Sequence, residues 1–569
     1  MTLQGSVRAQ LFHTYTTVPR LELSASERVA EVAAGLLTLY PHEQVEIGTS
    51  PSWAEDPLED ANWRFQYHSL VWLDRYRAAA AELGDEVAME HYRELLRSWI
   101  MRNPLGASAS DYAWFDMSVG LRAVVLAFAV DHFGDDPLIL DALRSHGEFL
   151  ASGSHYDSRG NHGLHQDLGL VVVAQLLSRS DWLSIAHHRV QEMFFDAIDA
   201  QGVCREGCID YQYRNYRWYG EARTRLAAAG IADLDWMDQR LELMPEFLAH
   251  ATMPNGEYVL IGDTLRHRAP RIEETAADWL RDRSRAPAKT VRVFDSGYLF
   301  ARTSWATANE DERVAFISQR FGPGRSAAVH GHEDGGSVTL SLGEDDLLRD
   351  SGLYAYEAGA ARLYARGRES HNVIDVPGRD FYPSAETELV RFQEGDDAVF
   401  SHVRSRSLRG VRWDRTLLWL ARARLILVDD RVRLDSAEEV VQRWHLQAGT
   451  RFEFNSPSSF SGVLSSGAWI DFRTIGTVQT SLANGSVEPL EGWVSEAYRS
   501  LTPAPTLGVW AEGDSVRLTT LITYGARGSE RARVQRFDRT SAVAALGLKV
   551  GKTSWAVALA SDGFVVNHT

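Results

Sequence analysis

The sequence contains little cysteine, almost no lysine and no long apolar run. Two cysteines, Cys204 and Cys208, in 569 residues exclude a disulfide-rich scaffold. The longest apolar run, residues 123–130, has 8 residues, whereas a membrane-spanning helix needs about 20, so we expect no membrane partner. Only three of the 59 basic residues are lysine. Arginine suits carboxylate and sulfate groups, although a GC-rich genome would produce the same bias.

The charge balance is acidic, with 59 basic against 77 acidic residues and a net charge of -18. An acidic chain with dispersed basic residues is not expected to bind nucleic acid, and an anionic substrate would need a locally basic groove. The composition, 44% apolar and 10% aromatic, is typical of a globular protein and excludes disorder for most of the chain. At roughly 100 to 200 residues per domain, the length predicts two to four domains.

The first 20 residues are polar and include early arginines, where a signal peptide needs a continuous apolar segment. We therefore expect a cytoplasmic protein, while secretion of a processed form and assembly into a homo-oligomer both stay open.

The first half of the chain has the helical period. From Ser24 the apolar residues recur on one helical stripe as far as Tyr40, and Ser24 with Glu27 is typical of a capping box. Further helices are predicted near residues 64–83, 87–101, 116–133, 137–151, 162–178, 182–198, 217–229, 235–251 and 272–281. No strand is expected before residues 257–261. About ten helices joined by short loops indicate paired antiparallel helices, in a bundle or a curved toroid.

After residues 283–289 the apolar period changes to two. Short alternating or β-branched runs are separated by Gly, Asn and Asp, which favours a β-sandwich. Strands are predicted at residues 292–301, 314–319, 337–342, 371–376, 415–428, 440–446, 469–473, 506–512, 515–524, 541–546 and 554–560. The fold class is therefore α+β multidomain, with a helical domain over residues 1–286 and an antiparallel β-sandwich over residues 287–569.

The densest group of chemically active residues lies in the second half. His330 and His332 are two positions apart, so on an extended segment both face one side. Two imidazoles plus a carboxylate from nearby strands would supply the nitrogen and oxygen ligands that Zn²⁺ takes. Asp350 and His371 follow further along in the same group. The alternative is a pair of unrelated surface histidines at a turn.

A second group lies in the helical half, at Asn161-His162 and around Tyr211 and Tyr213. Asn161 stands where a helix would start, so a capping role explains it equally well. The tyrosines could equally be aromatic packing between helices. Cys204 and Cys208 lack a second matching pair, and we interpret them as small core residues.

These two groups together resemble the heparinase II/III-like polysaccharide lyases and the related alginate lyases. The resemblance covers roughly residues 50–450. It implies an (α/α) toroid followed by an antiparallel β-sandwich. The family's Tyr-His pair is Tyr211-Gln212 here, which leaves the choice between Tyr211 and Tyr213 open. The matching segments are Asn62-Trp63, Trp114-x-Asp116-Met117, Asn161-His162-Gly163, Glu206 to Tyr211, Gly256, Ile261 to Thr264, His330-x-His332-x-Asp334, Asp350-x-Gly352, Arg366 and His371-Asn372.

The resemblance implies β-elimination next to a uronic acid, in a glycosaminoglycan such as heparan sulfate, hyaluronan or chondroitin, or in alginate or glucuronan. The implied catalytic residues are Tyr211, His330, Asn161, His162 and Tyr354. The implied substrate-binding residues are Tyr213, Arg366, Tyr364, Gln166 and Trp114. A zinc ion, structural rather than catalytic, is expected on His332, Asp350 and His371.

Two other functions fit the residues. A glycoside hydrolase on a helical toroid would use a carboxylate pair, which Asp116, Glu206 and Asp210 could supply. A polysaccharide-binding protein without activity would keep the fold alone. The product distinguishes these hypotheses, because elimination leaves a C4=C5 double bond that absorbs ultraviolet light and hydrolysis does not.

Overall fold

A computed structural model describes residues 23–134, 136–156, 160–326, 328–476 and 478–568. The described residues divide into two compact units. The first contains residues up to Ile198 together with Asn215–Leu241, and the second contains Asp199–Arg214 together with the residues from Glu242 onward. The first unit is mainly helical and the second contains most of the strands. The boundary near residue 287 stays a prediction.

Helices dominate the chain as far as residue 251. Among the described residues the α-helices are α1 Ala25–Ala33, α2 Ala61–Ser69, α3 Val71–Leu83, α4 Glu86–Arg102, α5 Asp116–Phe133, α6 Pro137–Ala151, α7 Gly160–Leu176, α8 Ser180–Ala197, α9 Ile209–Ala228, α10 Asp235–Leu241, α11 Met244–Ala251 and α12 Ala360–Arg366. Short 3-10 helices lie at Asp111–Trp114, Gly153–His155, Ala276–Asp278, Arg283–Arg285 and Arg368–Ser370. None of the described helices is long and apolar enough to cross a membrane.

The first helix begins as predicted and ends early. The Ser24 hydroxyl accepts a hydrogen bond from the Glu27 amide at 3.3 Å, and the Glu27 carboxylate accepts one from the Ser24 amide at 2.8 Å, so the capping box is present. The predicted continuation to Tyr40 is wrong. Gly35 has a φ of 72°, a left-handed conformation that stops the helix, and the residues after it form a short strand.

Several other expectations for this half are wrong. The helix expected over residues 235–251 is two helices, α10 and α11, and short strands at Leu36–Thr38 and Gln44–Glu46 precede the first strand expected. The helix expected over residues 64–83 is two helices, α2 and α3, because Leu70 between them has a φ of 57°. Residues 272–281 contain only the 3-10 helix Ala276–Asp278. The strand expected at residues 257–261 is reduced to isolated bridges of Thr252 with Tyr258 and of Glu257 with Arg268.

A close crossing of α5 and α7 fixes the position of the Asn161-His162 segment. A Cβ atom on Gly120 would lie 2.1 Å from the His165 carbonyl oxygen, and one on Gly169 would lie 2.4 Å from the Gly120 carbonyl oxygen. The two helices can therefore approach this closely only because both positions are glycine. Asn161 and His162 lie in the first turn of α7.

The strands of the described residues pair antiparallel throughout. They are β1 Leu36–Thr38, β2 Gln44–Glu46, β3 Val291–Phe294, β4 Tyr298–Arg302, β5 Ala315–Arg320, β6 Val338–Leu342, β7 Asp345–Leu348, β8 Ile374–Asp375, β9 Thr387–Glu394, β10 Ala398–Ser405, β11 Val411–Leu420, β12 Leu425–His445, β13 Arg451–Ser456, β14 Ser459–Val463, β15 Trp469–Ile475, β16 Gln479–Ala483, β17 Ser486–Val487, β18 Leu490–Glu491, β19 Trp493–Ala497, β20 Ser500–Pro503, β21 Thr506–Gly525, β22 Arg533–Arg539, β23 Ala544–Val550, β24 Thr553–Ala560 and β25 Gly563–His568.

Three sheets form the body of the second unit. Strands β3 to β7 make a five-stranded sheet in sequence order, and β22 to β25 make a four-stranded one. A ten-stranded sheet has the order β13-β14-β15-β21-β12-β11-β10-β9, with β16 beside β21 and β8 beside β12. The predicted strand over residues 415–428 is instead a hairpin of β11 and β12, whereas the two runs predicted over residues 506–524 are one strand, β21.

One core joins the five-stranded and ten-stranded sheets. Ile317 and Leu340 from the first lie in the same buried cluster as Leu417 and Val428 from the second. A second cluster joins the other face of the ten-stranded sheet to the four-stranded sheet, and includes Phe400 and Leu546.

Candidate active site

An aromatic stack lies at the start of helix α9. The rings of Tyr211 and His330 are 3.5 Å apart between centroids and nearly parallel, at 15°. The hydroxyl of Tyr211 lies 3.4 Å from that of Tyr356. Two phenolic hydroxyls, which can donate protons, and one imidazole therefore lie in contact within the second unit.

Two glycines allow three loops to meet at this point. Gly207, with a φ of 78°, precedes α9, and a Cβ on it would lie 2.9 Å from the Ala328 Cβ atom. Gly262 has a φ of 59°, and a Cβ on it would lie 2.3 Å from the Gly207 carbonyl oxygen and 2.6 Å from that of His330. Side chains at either position would separate the loops that carry Tyr211, Asp263 and His330.

Asp263 contacts both histidines of the His330-x-His332 segment. Its Oδ2 atom lies 3.0 Å from Nδ1 of His330, and its Oδ1 atom lies 2.9 Å from Nε2 of His332. The guanidinium of Arg362 donates to both oxygens of the same carboxylate. His330 and His332 lie in the loop between β5 and β6, and both side chains reach one group, as their spacing predicts.

The three predicted metal ligands come together. His332, Asp350 and His371 are buried, and they offer ligand atoms that lie within 4.8 Å of one another. Nδ1 of His332 and Nε2 of His371 are buried without a hydrogen-bond partner in the described part of the chain, as is Oδ2 of nearby Asp334. Such unpaired atoms are costly, and two nitrogens with a carboxylate fit a cation such as Zn²⁺.

The tyrosine pair is held in its protonated form. Burial, followed by the neighbouring Tyr356, raises the pKa of Tyr211 well above the ordinary tyrosine value. Partial burial raises the pKa of Tyr356 to about 12. Tyr211 is 7% exposed whereas Tyr356 is 37% exposed. At neutral pH both hydroxyls are therefore proton donors, and Tyr356 connects the enclosed one with solvent.

Charged residues surround the stack. The guanidinium carbon of Arg214 lies 5.4 Å from the Tyr211 ring centroid, and this arginine is exposed. Glu206, which is 7% exposed, has Oε2 at 3.5 Å from Nε2 of His330. The backbone amide of His330 donates to the Glu206 carbonyl at 3.0 Å, which fixes the loop beside α9.

Two family models match this chain. The family model described as Heparinase II/III N-terminus matches residues 11–281, and the one described as Heparinase II/III-like, C-terminal matches residues 287–534. The chain belongs to the heparinase II/III family. The prediction of a polysaccharide lyase of this family is confirmed by these matches and by the relatives below.

Relatives of this heparinase II/III family member include the heparin-sulfate lyase of Bacteroides thetaiotaomicron, which is 21% identical over 483 residues, 75% of this chain and 67% of that protein. Heparan sulfate lyase HepC from Pedobacter heparinus has a TM-score of 0.71 at 14% identity, covering 98% of this chain and 94% of that one. Chondroitin AC lyase from Streptomyces coelicolor, solved with chondroitin sulphate, has a TM-score of 0.54 at 11% identity, covering 98% and 92%. At these identities the structures establish a shared mixed helical and sheet fold.

The departure from the family's Tyr-His pair has a structural explanation. Gln212 is fully buried, its Oε1 accepts from the Cys204 amide at 2.6 Å, and its Nε2 donates to the Gly202 carbonyl at 2.7 Å. It therefore holds the turn before α9. It is Tyr211 that stacks on His330, while Tyr213 is half-buried.

Two of the predicted substrate-binding residues secure loops around the stack. Nη2 of Arg366 donates to the carbonyls of Val329 and Gly331, at 3.3 and 3.1 Å, and so fixes the loop of His330. The hydroxyl of Tyr364 is hydrogen-bonded to both the amide and the carbonyl of Trp493, each at 3.1 Å. Tyr364 is 6% exposed, so its side chain serves packing here.

Four predicted residues lie in the first unit. Asn161 donates to the sulfur of Met117 at 3.9 Å, and His162 lies edge-on to Phe115 at 6.0 Å; both are half-buried. The side-chain Nε2 of Gln166, a residue that is 1% exposed, donates to the His155 carbonyl at 2.9 Å, and substrate contact by Gln166 stays a prediction. Trp114 donates to the Asn103 carbonyl at 2.9 Å and its ring lies 4.7 Å from His146.

Two of the carboxylates named for a hydrolase, Asp210 and Glu206, have partners of their own in the described part of the chain. Asp210 accepts from His267 at 2.7 Å and from the Leu265 amide at 3.0 Å, while Glu206 lies beside His330. The side chain of Asp116 lies outside the described residues. Asp210, which lies on α9, therefore links this helix to the loop that contains Leu265 and His267.

Four residues of the site were missed from the sequence: Tyr356, Asp263, Arg362 and Arg214. Tyr354 was selected as the helper tyrosine, and its carbonyl accepts from the Arg499 amide at 2.7 Å, but the hydroxyl beside Tyr211 belongs to Tyr356. Tyr354 and Tyr356 are two positions apart, so the spacing in the sequence does not show which of them lies beside Tyr211. Asp263 lies in the segment Ile261 to Thr264, which matches the family, and this match could have identified it as a site residue.

Proposed function

We propose that the protein cleaves a sulfated or unsulfated glycosaminoglycan by β-elimination. The observation that carries this proposal is the stack of Tyr211 on His330, with the imidazole anchored on Asp263. The names of the relatives, which are lyases of heparin or heparan sulfate and of chondroitin, support a glycosaminoglycan over alginate. Exposed Arg214 beside Tyr211 supplies positive charge for an anionic sugar.

The first step removes the C5 proton of the uronic acid. The negative carboxylate next to C5 opposes this step unless its charge is stabilised as it grows. By the resemblance, Asn161 and His162 hydrogen-bond that carboxylate. With Nδ1–H of His330 donating to Asp263, Nε2 is the ring nitrogen left to take a proton, and the Glu206 carboxylate 3.5 Å away stabilises the positive charge that the ring then gains. We assign the proton at C5 to this nitrogen.

The second step breaks the bond between C4 and O4. The electron pair of the C5–H bond forms the C4=C5 double bond, and the departing O4 takes a proton from the Tyr211 hydroxyl. A raised pKa keeps that hydroxyl protonated at neutral pH. Tyr356, at 3.4 Å and partly exposed, returns a proton to Tyr211 from solvent.

The expected product gives the direct test. We expect the purified protein to release ultraviolet-absorbing unsaturated uronides from at least one of heparan sulfate, hyaluronan and chondroitin sulfate, with alginate and glucuronan screened beside them. The Tyr211→Phe variant, purified in the same way, controls for contaminating lyases. New reducing ends without absorbance would favour a hydrolase, and binding without either product would favour a binding protein.

We propose that His332, Asp350 and His371 hold a zinc ion with a structural role. When bound, the ion supplies a fixed positive charge that ties the loop of His332 to the Asp350 turn and to His371. This role is supported by the unpaired buried nitrogens of the two histidines. Elimination does not require a metal-activated water, so no open coordination position is needed.

The zinc site can be tested without substrate. Replacing His332, Asp350 or His371 by alanine is expected to reduce co-purifying zinc from about one ion per chain to a trace and to lower the melting temperature. His402→Ala is the control, because this 5%-exposed histidine pairs with Asp414 at 2.9 Å away from the triad. A protein that purifies without zinc and has full stability would contradict the proposed zinc site.

For the finer architecture, we propose that the helices of the first 286 residues form an (α/α) toroid and that the later strands form a β-sandwich. The antiparallel pairing of the sheets and the core between the five-stranded and ten-stranded sheets support the sandwich.

A further inference from the structure

The carboxylate of Asp263 contacts two histidines with different tasks. Oδ2 lies 3.0 Å from Nδ1 of His330 and Oδ1 lies 2.9 Å from Nε2 of His332. The side chain of Asp263 is completely buried. One residue therefore touches both the imidazole that we assign to proton transfer and an imidazole of the metal triad.

Arg362 holds this carboxylate in place. Its guanidinium, on the short helix α12, donates to both oxygens of Asp263, with Nη2 at 2.8 Å from Oδ2. A buried carboxylate is stable only when charge and hydrogen bonds compensate it, and the bidentate arginine pair does this in a fixed orientation. The backbone adds a further tie, since the Asp263 amide donates to the His330 carbonyl at 2.9 Å.

We propose that Asp263 is a positioning residue that couples the metal triad to His330, and that Arg362 sets its orientation. The catalytic half of this proposal rests on the function proposed above, and the metal half does not. One carboxylate can hold both imidazoles because its two oxygens accept separately, Oδ2 from His330 and Oδ1 from His332.

Each contact selects one tautomer. With Nε2–H of His332 donating to Oδ1, the lone pair of this histidine lies on Nδ1, the buried nitrogen that has no partner in the described part of the chain. With Nδ1–H of His330 donating to Oδ2, Nε2 is the nitrogen of His330 left for proton transfer, on the side that faces Glu206 at 3.5 Å. A carboxylate that fixes a metal-bound histidine is a common outer partner of zinc sites, and here the same group also fixes the catalytic base.

Asp263→Asn tests the coupling. An amide has one acceptor oxygen, and its NH₂ group would face a donor, so it can satisfy only one of the two imidazoles. We expect zinc affinity, measured by competition with a chelator, to fall about 10- to 100-fold. With substrate from the screen, we expect kcat to fall by a similar factor while KM stays within about twofold, because no sugar contact is removed.

Asp414→Asn is the matched control. Asp414 also accepts from one histidine and from arginines, namely His402 at 2.9 Å, Arg404 at 2.8 Å and Arg412 at 2.9 Å, but it touches no triad residue. It should keep the wild-type zinc affinity and kcat. If Asp263→Asn does not fold, Arg362→Lys replaces it, since lysine keeps the charge and loses the two-point contact. Arg362→Lys should also lower zinc affinity and kcat, each by a smaller factor than Asp263→Asn.

The outcomes separate the two halves. Wild-type zinc affinity in both Asp263→Asn and Arg362→Lys would overturn the link to the metal, whether or not the protein is a lyase. Weak zinc binding with unchanged kcat at saturating zinc would overturn the link to His330. In the His332→Ala background, a further loss of kcat on adding Asp263→Asn supports a direct action on His330, and no further loss contradicts it. A failed substrate screen would concern the proposed function alone, since the zinc measurement still stands.

Discussion

Replacing Tyr211 by phenylalanine is expected to lower turnover of the best substrate by about 10²- to 10⁴-fold, the usual cost of losing a general acid. At 1.36 kcal/mol per decade this is about 3 to 5 kcal/mol of transition-state stabilisation. The substitution removes one oxygen and keeps the ring that stacks on His330, so packing should survive. Initial rates from ultraviolet absorbance, with melting temperatures on the same samples, measure the effect.

Tyr213→Phe is the matched control for this variant. It makes the same chemical change two residues further along α9, at a half-buried position. Because the resemblance assigns Tyr213 to substrate binding rather than to proton transfer, we expect near-wild-type kcat at saturating substrate, with any effect confined to KM. If Tyr213→Phe abolished activity while Tyr211→Phe kept it, the family motif would have been assigned in the wrong register. If neither variant mattered, the elimination chemistry would lie elsewhere.

Replacing His330 by alanine is expected to cost a similar factor, about 10²- to 10⁴-fold in kcat, while zinc content stays at the wild-type level. The reason is that His330 contacts Asp263 and stacks on Tyr211, whereas the triad uses His332. Elemental analysis and turnover on one preparation test both parts. Loss of zinc in His330→Ala would move His330 into the metal site and contradict the separation of roles.

The double variant, Tyr211→Phe with His330→Ala, sharpens the same test. Residues that act on one transition state are not additive, so the combined loss should be smaller than the product of the single losses. Independent factors would mean that the two stacked side chains serve different steps.

Local patterns in the sequence were sufficient for much of the helical half. The predicted bounds of residues 116–133 and 137–151 are those of α5 and α6, because a long helix repeats its signal over several turns. The same reasoning failed at Gly35 and Leu70, where a single residue with positive φ interrupts an otherwise continuous apolar stripe.

In the second half, short strands were identified more reliably than their connections. Residues 314–319 and 337–342 lie within one residue of β5 and β6. The long strand β12 was expected as separate pieces, because its middle, around residues 433–438, is exposed and interrupted by a bulge. Alternation of apolar and polar residues shows which face of a strand is buried. Where neither face is buried, the sequence has no such alternation.

A mixed helical and sheet fold, the lyase family and the grouping of His332, Asp350 and His371 were predictable from the sequence. Residue types, turn glycines, apolar periods and family motifs are local properties that can be read from a linear pattern. Tyr356, Asp263 and Arg362 depended on the tertiary structure. Their contacts join residues 145, 67 and 99 positions apart. A hydrogen bond between such distant residues leaves no period or spacing in the chain, and its partners become known only when the loops that carry them are brought together in the folded protein.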